Sequence, residues 1–362
     1  MIYEESFGVK VELKDAEKIR RYLSSMGLIR GDLKIKRDKS FVYIPIGKKF
    51  DASTWDKTIF DGIEIMVKKF KKMEETVVSG DYRLTISGIP EKLRRQLPTS
   101  YDVIGDIILV KLPEELIRYR WEVGKAMLAA NKRVKVVCLA NPVSGEFRTR
   151  KVEIIAGEER TETIHREYGL RFLVDVCKTY FSPRLASERR YIASLVEEDE
   201  IVVDMFCGVA PFSIMIAKYA KPKIVYAIDK NTYAVWYAKQ NIRINNVLDR
   251  VEVIYGDAKV VCMDLFKRNV RANRIIMNLP FYSHMFFSYA LKISCDGCTI
   301  HFYDVLRKEQ VDARIKLLME MAEREGFVLK VLNVRKIKTY APREFYMGID
   351  IRAMKKLDAD VA

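Results

Sequence analysis

Four runs of apolar residues in the second half of the chain each lead into polar side chains. Val202 to Ser213 reads VVDMFCGVAPFS, and Lys223 to Asp229 and Val251 to Asp257 also end in aspartate, whereas Arg274 to Phe281 ends in Asn-Leu-Pro-Phe. Short apolar runs of this kind predict buried parallel strands. Because ligands bind at the carboxyl ends of such strands, the pattern predicts a ligand site built from these four ends.

The loop after the first run indicates which ligand the site binds. A dinucleotide site needs a glycine-rich loop close to a pyrophosphate, and of those glycines this loop has only Gly208. S-adenosylmethionine (AdoMet) has no phosphate and tolerates such a loop. Asp229 follows Asp204 by 25 residues, where an acid can accept ribose hydroxyls. The alternative is that these acids are ordinary caps and turns. The combination favours an AdoMet-dependent methyltransferase.

Each polar strand end has an expected partner on the cofactor. Asp204 and the loop through Phe206 and Gly208 are expected to hold the methionine part of AdoMet. Asp229 is expected to accept the ribose hydroxyls, and Asp257 to contact the adenine amino group. The loop that begins at Asn278 is expected to line the methionine end.

The pattern divides the chain into three blocks. Residues 1–75 carry the predicted strand GVKVELK, a helix from Asp15 to Met26 and the strand FVYIPI. Residues 76–176 carry DVIGDIILVKLP, a helix around Trp121 to Ala130, the strand VKVVCLA, the basic ribbon EFRTRKVEIIAG and a last strand ending at Val176. Residues 177–362 hold a turn and helix, the four strands above and two long closing strands. We expect an α/β protein in which a doubly wound, Rossmann-like methyltransferase domain follows two smaller α/β RNA-binding domains.

Composition points to a polyanionic partner. The 362 residues carry a formal net charge of +15, with a sequence pI near 9.3. Basic excess alone also suits a merely soluble protein, but beside a methyltransferase it favours nucleic acid. The chain has no apolar run long enough to cross a bilayer and no signal peptide at Met1, which predicts a soluble, cytoplasmic protein without a membrane partner.

The cysteines and histidines do not predict a metal site. Cys295 and Cys298 form a single C-x-x-C in a predicted turn before the strand Thr299 to Tyr303, and a structural zinc site needs a second pair. The pair is interpreted as two reduced thiols or a local disulfide. The three histidines are dispersed, so no metal is predicted.

Several segments together resemble a known family. In chain order they are FRTRKVEIIAGEERTETIHREYG, YFSPRLASER, VVDMFCGVAPFS, YAIDKN, NIRINN and RIIMNLP. The set resembles the archaeal and eukaryotic type of tRNA (guanine-37 N1)-methyltransferase, closely over residues 80–350 and more loosely in the N-terminal block. The segment SPRLASER is the specific part, because methyltransferases in general lack it. Ala210 departs from the family, which usually has glycine there.

The resemblance implies three catalytic residues, Glu188, Arg148 and Asn278. The N1 of guanine carries a proton at neutral pH, so a base must remove it before the methyl group can bond. Glu188 matches the proposed general base, and Arg148, the first arginine of RTR, matches the group that stabilises O6. From the residues alone, the favoured interpretation of Glu188 is an acid stabilised by a helix dipole, and that of Arg148 is a strand cation that contacts phosphate.

The same motifs imply contacts with the target base. Asn278 and Pro280 are expected to shape the loop beneath it, with the Asn278 amide at a base or sugar edge. Tyr180 is expected to stack on the extruded guanine, and Arg184 to bind the substrate. Phe181 is either a second stacking ring or a core aromatic.

The sequence leaves other functions open. NLPF also resembles the loop of exocyclic-amine methyltransferases, which need no general base. A related wyosine-pathway enzyme transfers the aminocarboxypropyl group of AdoMet to the same tRNA position. A third alternative is an RNA-binding protein with an idle methyltransferase fold. Under the favoured reading we expect tRNA as the partner of a monomer, with residues 1–75 docking on the folded body of tRNA or serving as a stabilising appendage.

Overall fold

The chain forms two compact units, Met1–Gly80 and Asp81–Ala362, and each is considered by itself. The structure is a computed structural model that describes residues 3–30, 32–38, 40–47, 63–71, 81–86, 88–141, 145 and 150–356.

The first unit is a small sheet with one helix. Its elements are β1 (Tyr3–Glu12), α1 (Ala16–Ser25), β2 (Lys36–Arg37), β3 (Phe41–Ile46) and β4 (Glu64–Lys71). The strands lie in the order β2-β3-β1-β4, and β1 pairs antiparallel with both β3 and β4. Alternate residues of β1 and β3 meet one face of α1, which confirms the predicted strands and helix. The buried core contains Val9, Val11, Ile19, Leu23, Ile44 and Ile46.

The second unit begins with another four-stranded sheet. Its elements are α2 (Glu91–Arg94), β5 (Asp102–Ile104), β6 (Ile107–Val110), α3 (Arg120–Ala130), β7 (Val136–Ala140) and β8 (Val152–Gly157). The strands lie in the order β5-β6-β7-β8, and α3 packs on β8 and β7. The first four residues of the predicted basic ribbon, 146–149, lie outside the described residues.

The rest of this unit consists of a two-stranded hairpin and a large seven-stranded sheet with helices on both faces. Its elements are β9 (Glu162–Glu167), β10 (Leu170–Asp175), α4 (Ala186–Leu195), β11 (Ile201–Asp204), α5 (Pro211–Tyr219), β12 (Ile224–Asp229), α6 (Thr232–Ile244), β13 (Val251–Tyr255), α7 (Ala258–Lys267), β14 (Ala272–Met277), α8 (Phe287–Ile293), β15 (Ser294–Leu306), α9 (Val311–Arg324), β16 (Phe327–Ala341) and β17 (Glu344–Lys355).

The seven strands of this sheet lie in the order β13-β12-β11-β14-β15-β17-β16. The first five are parallel, whereas β17 is antiparallel to both β15 and β16. The four strands expected from the apolar runs are therefore confirmed as neighbours, and the two long closing strands are confirmed as well. Neighbouring residues of one strand, such as Val202 and Val203, belong to the cores on opposite faces, because successive side chains alternate across a sheet.

A hairpin of β9 and β10 is attached to α6 through side-chain amides. Asn241 Oδ1 accepts from the backbone N–H of Leu173 at 2.7 Å, and Asn245 Oδ1 accepts from that of Arg171 at 3.0 Å. Asn241 and Asn245 are both buried, so these bonds satisfy strand groups that no neighbouring strand reaches on that side. The attachment fixes where the chain enters the segment that leads to α4.

The loop after β11 explains the family's preference for glycine at position 210. Ala210 has φ 65° and ψ 37°, a left-handed conformation that glycine adopts freely and alanine does not. Its backbone N–H donates to Cys207 O at 2.8 Å and closes the turn before α5. Ala210 therefore keeps the loop conformation at a cost in backbone strain.

Two other expectations concern the C-terminal half and the helices. Cys295 and Cys298 lie within the first residues of β15, so the predicted turn is wrong there, and both are free thiols. None of the described helices combines the length and the apolar character needed to cross a membrane.

Candidate active site

A cavity opens at the carboxyl ends of the parallel strands, and we call it the strand-end cavity. It encloses about 770 Å³ of empty space, including its opening to solvent. It is lined by Tyr180, Met205, Phe206, Gly208, Asp229, Lys230, Asn231, Ala234, Gly256, Asp257, Ala258, Asn278, Leu279 and Phe286. The cavity therefore brings together Phe206, Gly208, Asp229, Asp257 and Asn278 from the set that was expected to bind the cofactor.

Asp229 organises the loops around the cavity. Its Oδ2 accepts from the backbone N–H of Gly208 at 2.7 Å, and its Oδ1 from that of Asn231 at 2.8 Å. Burial raises the pKa of Asp229, although the backbone N–H groups of Asn231, Gly208 and Lys230 oppose the shift. Each carboxylate oxygen has two acceptor positions, so this arrangement leaves one position per oxygen for two hydroxyls of a ligand.

The other two strand-end acids differ in exposure. Asp257 caps α7, accepting from the Lys259 N–H at 2.9 Å, and Lys230 Nζ lies 3.5 Å from its other oxygen. Asp204 is buried, accepts from Ser213 Oγ at 2.7 Å and does not line the cavity. Burial raises the pKa of Asp204 to about 7. The structure therefore places Asp204 among the buried residues and not on the cavity lining, and its expected contact with the methionine part of AdoMet stays a prediction.

Two phenyl rings form one wall of the cavity. Phe206 and Phe286 pack edge to face, with ring centroids 4.9 Å apart, and Lys259 Nζ lies 5.1 Å from the Phe286 centroid. Sequence reasoning missed Phe286, because it lies in a short turn before α8 that carries no motif. The rings give the cavity an apolar face beside its acids.

Hydrogen bonds from two neighbouring strands, β15 and β17, hold the loop after β14. Asn278 Oδ1 accepts a hydrogen bond from the Tyr346 hydroxyl of β17, so its amide nitrogen is the part suited to an acceptor on a ligand. Phe281 has φ 76°, and its N–H donates to Asp304 Oδ1 at 3.0 Å. Pro280 is buried in this turn and does not line the cavity. Asn278 thus faces the cavity, while Pro280 shapes the turn.

A second, more open depression meets the strand-end cavity at Tyr180, and we call it the basic cleft. It has about 1720 Å³ of empty space, solvent included. Its charged lining residues are Arg95, Asp102, Lys111, Arg150, Arg184 and Lys338. Among the described residues that line it, Asp102 is the only acid, and Arg184 Nε lies 2.7 Å from it. Arg148 lies outside the described residues.

Glu188 lies in the first turn of α4 and is buried, with 7% of its surface exposed. Its Oε1 accepts from the Tyr303 hydroxyl of β15 at 2.7 Å and from Arg335 Nη2 of β16. Its Oε2 accepts from Arg335 Nε at 3.3 Å. Sequence reasoning missed Tyr303 and Arg335, because Tyr303 lies in an apolar strand and Arg335 in a basic strand that suggested a solvated edge.

The residues on either side of Glu188 in the motif are structural. Arg189 is 1% exposed and forms a bidentate ion pair with Glu167 of β9, at 2.7 and 2.5 Å. Phe181 is buried, with its ring centroid 5.9 Å from that of Phe172 and 5.1 Å from that of His165. Phe181 is therefore a core aromatic and not a second stacking ring.

Three family models match consecutive parts of the chain. The tRNA methyltransferase 5 N-terminal domain matches residues 8–54, the TYW2 N-terminal domain residues 83–161, and the TRM5/TYW2 methyltransferase domain residues 163–331. The last match contains α4 and every strand end of the strand-end cavity.

Known proteins resemble the chain over most of its length. The tRNA (guanine(37)-N(1))-methyltransferase Trm5b of Pyrococcus abyssi is 40% identical over 349 residues, covering 96% of this chain and 99% of the relative. The tRNA(Phe) (4-demethylwyosine(37)-C(7)) aminocarboxypropyltransferase of Methanocaldococcus jannaschii is 36% identical and covers 70% of this chain and 97% of the relative. A solved complex of aTrm5 and tRNALeu has a TM-score of 0.68 and 33% identity, covering 96% of this chain and 99% of that one.

Proposed function

We propose, from the premise that this chain belongs to the archaeal and eukaryotic type of tRNA (guanine-37 N1)-methyltransferase family, that it methylates N1 of guanine 37 in tRNA. The relatives named for this reaction match nearly the whole chain, including the N-terminal block. The observation that carries the proposal is the position of Tyr180, which lines both the strand-end cavity and the basic cleft.

The strand-end cavity suits AdoMet, the cofactor of this family. Asp229 offers one acceptor position per oxygen to a pair of ribose hydroxyls, and Asp257 offers an acceptor to an adenine amino group. Phe206 and Phe286 supply an apolar wall, and Asn278 an amide donor. When bound, AdoMet supplies an electrophilic methyl group on a sulfonium sulfur.

The basic cleft suits the RNA. Phosphates bind arginine and lysine side chains without regard to sequence, and such contacts position the RNA. Arg184 and Arg150 share Asp102 in this structure, with N–O distances of 2.7 and 3.8 Å, so RNA phosphates compete with that carboxylate for both. Tyr180 lines both the basic cleft and the strand-end cavity, and its ring is proposed to stack on a base extruded between them.

Glu188 is the proposed base. Its carboxylate accepts the N1 proton as the N1–H bond breaks, and the electron pair left on N1 forms the bond to the methyl group. Oε2 is the better placed oxygen, because its one bond from Arg335 is long at 3.3 Å, whereas Oε1 accepts two. Negative charge that develops on O6 needs a cation nearby, and Arg148 is proposed for this role from the family motif.

The decisive test replaces the base without changing its shape. Glu188→Gln should lower the single-turnover methylation rate by about two to four orders of magnitude, while the affinity for AdoMet stays near wild type. The substrate is a tRNA transcript with guanine at position 37, and matched transcripts carry adenine or inosine there. Wild-type rates in Glu188→Gln would exclude Glu188 as the base.

Product analysis tests the activity itself. Mass spectrometry of the digested tRNA should show one added methyl group on guanine, at N1. An added aminocarboxypropyl group would favour the wyosine-pathway activity instead. A methyl group on an exocyclic amine would indicate an exocyclic-amine methyltransferase, and the absence of any product would indicate an RNA-binding protein. The wyosine-pathway relative matches a smaller share of the chain, which favours methyl transfer.

A further inference from the structure

A network of buried and partly buried charged groups extends from Glu188 across four strands of the large sheet. Arg335 bridges Glu188 and Asp350, and His301 Nδ1 lies 2.7 Å from Asp350 Oδ1. Arg274 Nη1 lies 2.9 Å from His301 Nε2. The network of charged groups ends at Glu200, whose carboxylate oxygens accept hydrogen bonds from Arg274 at 2.7 and 2.8 Å. The network therefore links α4 to β14, β15, β16 and β17.

The neighbours of His301 fix its tautomer and its charge. Arginine only donates, so Nε2 accepts from Arg274 and the ring proton lies on Nδ1, where it is donated to Asp350. Burial lowers the pKa of His301, although Asp350 opposes the shift, so the ring is neutral at pH 7. The network then consists of three carboxylates, two guanidiniums and one neutral imidazole, so its net charge is −1. A proton on Glu188 would bring this buried charge to zero.

The groups that face Glu188 come from several elements. Burial raises the pKa of Tyr303 far above its usual range, and the charge of Glu188 adds to the effect, so this hydroxyl stays neutral. Within α4, Tyr191 lies under the Arg335 guanidinium at 4.7 Å, and Arg189 is paired with Glu167. From β17, Tyr346 packs on Tyr303 with ring centroids 5.9 Å apart. The titratable groups of α5, Lys218 and Tyr219, are bonded to backbone oxygens elsewhere.

We propose that Arg335 and Asp350 are positioning residues for proton transfer to Glu188. Arg335 holds the carboxylate in one orientation, and Asp350 keeps the guanidinium paired when Glu188 becomes neutral. Without Asp350, proton uptake would leave Arg335 as a partly buried cation with no carboxylate to pair with, which is disfavoured. Asp350 thus keeps Arg335 paired in both protonation states of Glu188, the proposed base. This inference rests on the proposed function, in which Glu188 is the base.

The test compares pH–rate profiles of the full-length enzyme in single turnover, with saturating AdoMet and a guanine-37 transcript. Asp350→Asn should slow methyl transfer about tenfold or more, because proton uptake then creates a net positive charge. Arg335→Met should move the acidic limb to higher pH by about one unit or more, because the facing cation is lost. Arg335→Lys keeps the positive charge, so it should leave the acidic limb of the pH–rate profile in place. It should lower the rate, because lysine cannot bond both oxygens of Glu188 as the guanidinium does.

Controls separate this inference from the proposed function and from misfolding. Arg352→Met, at an exposed position of β17, should leave rate and profile unchanged. A wild-type rate in Glu188→Gln would exclude Glu188 as the base and overturn the positioning role, but it would leave methyl transfer itself standing. Only the absence of an N1-methylated product with the wild-type enzyme would overturn the proposed function. An inactive Glu188→Gln together with wild-type rate in Asp350→Asn and an unmoved limb in Arg335→Met would overturn only the positioning role. If calorimetry shows that Arg335→Met is unfolded, wild-type rates in both Asp350→Asn and Arg335→Lys would overturn it.

Discussion

The buried ion pair of Arg189 and Glu167 gives a prediction whose size follows from its geometry. Glu167→Ala leaves the Arg189 guanidinium, which is 1% exposed, without its carboxylate. Breaking such a pair from one side costs about 3–5 kcal/mol, because an uncompensated charge stays buried. The expected loss lies toward the lower end of this range, since Arg189 keeps two bonds to Ser182 O at 3.2 Å.

The loss should appear as a lower Tm in scanning calorimetry. At about 2–4 °C for each kcal/mol, a loss of about 3 kcal/mol should lower the Tm by roughly 6 to 12 °C. Removing both charges, in Glu167→Met with Arg189→Met, should restore part of the loss. What remains is about 1–3 kcal/mol for the Ser182 carbonyl, which then lacks its donors.

An exposed ion pair serves as the control. Glu323 and Lys356 lie 3.0 Å apart with most of the Glu323 side chain in solvent, so Glu323→Ala should change the stability by less than about 1 kcal/mol. A Tm for Glu167→Ala within about 2 °C of wild type would refute the argument, because it would mean that solvent or another group compensates Arg189. A double variant no more stable than either single variant would refute the assignment of the loss to the unpaired charge.

Three further predictions concern the cofactor, the pH and the RNA. Asp229→Ala removes the acceptor of two backbone amides and the proposed ribose contact, so AdoMet binding should weaken by about 1–3 kcal/mol in calorimetry; unchanged affinity would mean that Asp229 does not face the ligand. The pKa of Asp204 is raised to about 7 by burial, so its contribution to stability is complete below the pKa of the unfolded chain and is lost as the pH rises toward 7. Denaturant titrations should therefore show a smaller loss of stability between about pH 4 and 7 in Asp204→Asn, and equal slopes would count against the shift. Deleting residues 1–75 should weaken binding and turnover on full-length tRNA but not on an anticodon stem-loop, and equal losses on both would indicate a folding role.

The sequence by itself determined the parallel core and the ends of its strands. Each of the four apolar runs folds as a strand of the large sheet, because a strand buried on both faces needs an uninterrupted apolar run whatever its neighbours are. The polar residues that stop those runs then lie at one edge, which places Asp229, Asp257 and Asn278 in one cavity. The N-terminal helix and the two closing strands were also predictable, because the spacing of apolar residues that defines each of them is local in the sequence.

The tertiary structure alone decided which side chains surround Glu188. Arg335 is 147 residues away in the chain and Tyr303 is 115 residues away, and no local pattern distinguishes a basic residue that turns inward from one in solvent. The same limit applies to Asp204, which looked like the other strand ends but is buried against Ser213. Local patterns follow from the geometry of one strand or helix, whereas these contacts depend on the strand order that brings β15, β16 and β17 beside α4. That order is fixed only when the whole sheet has packed.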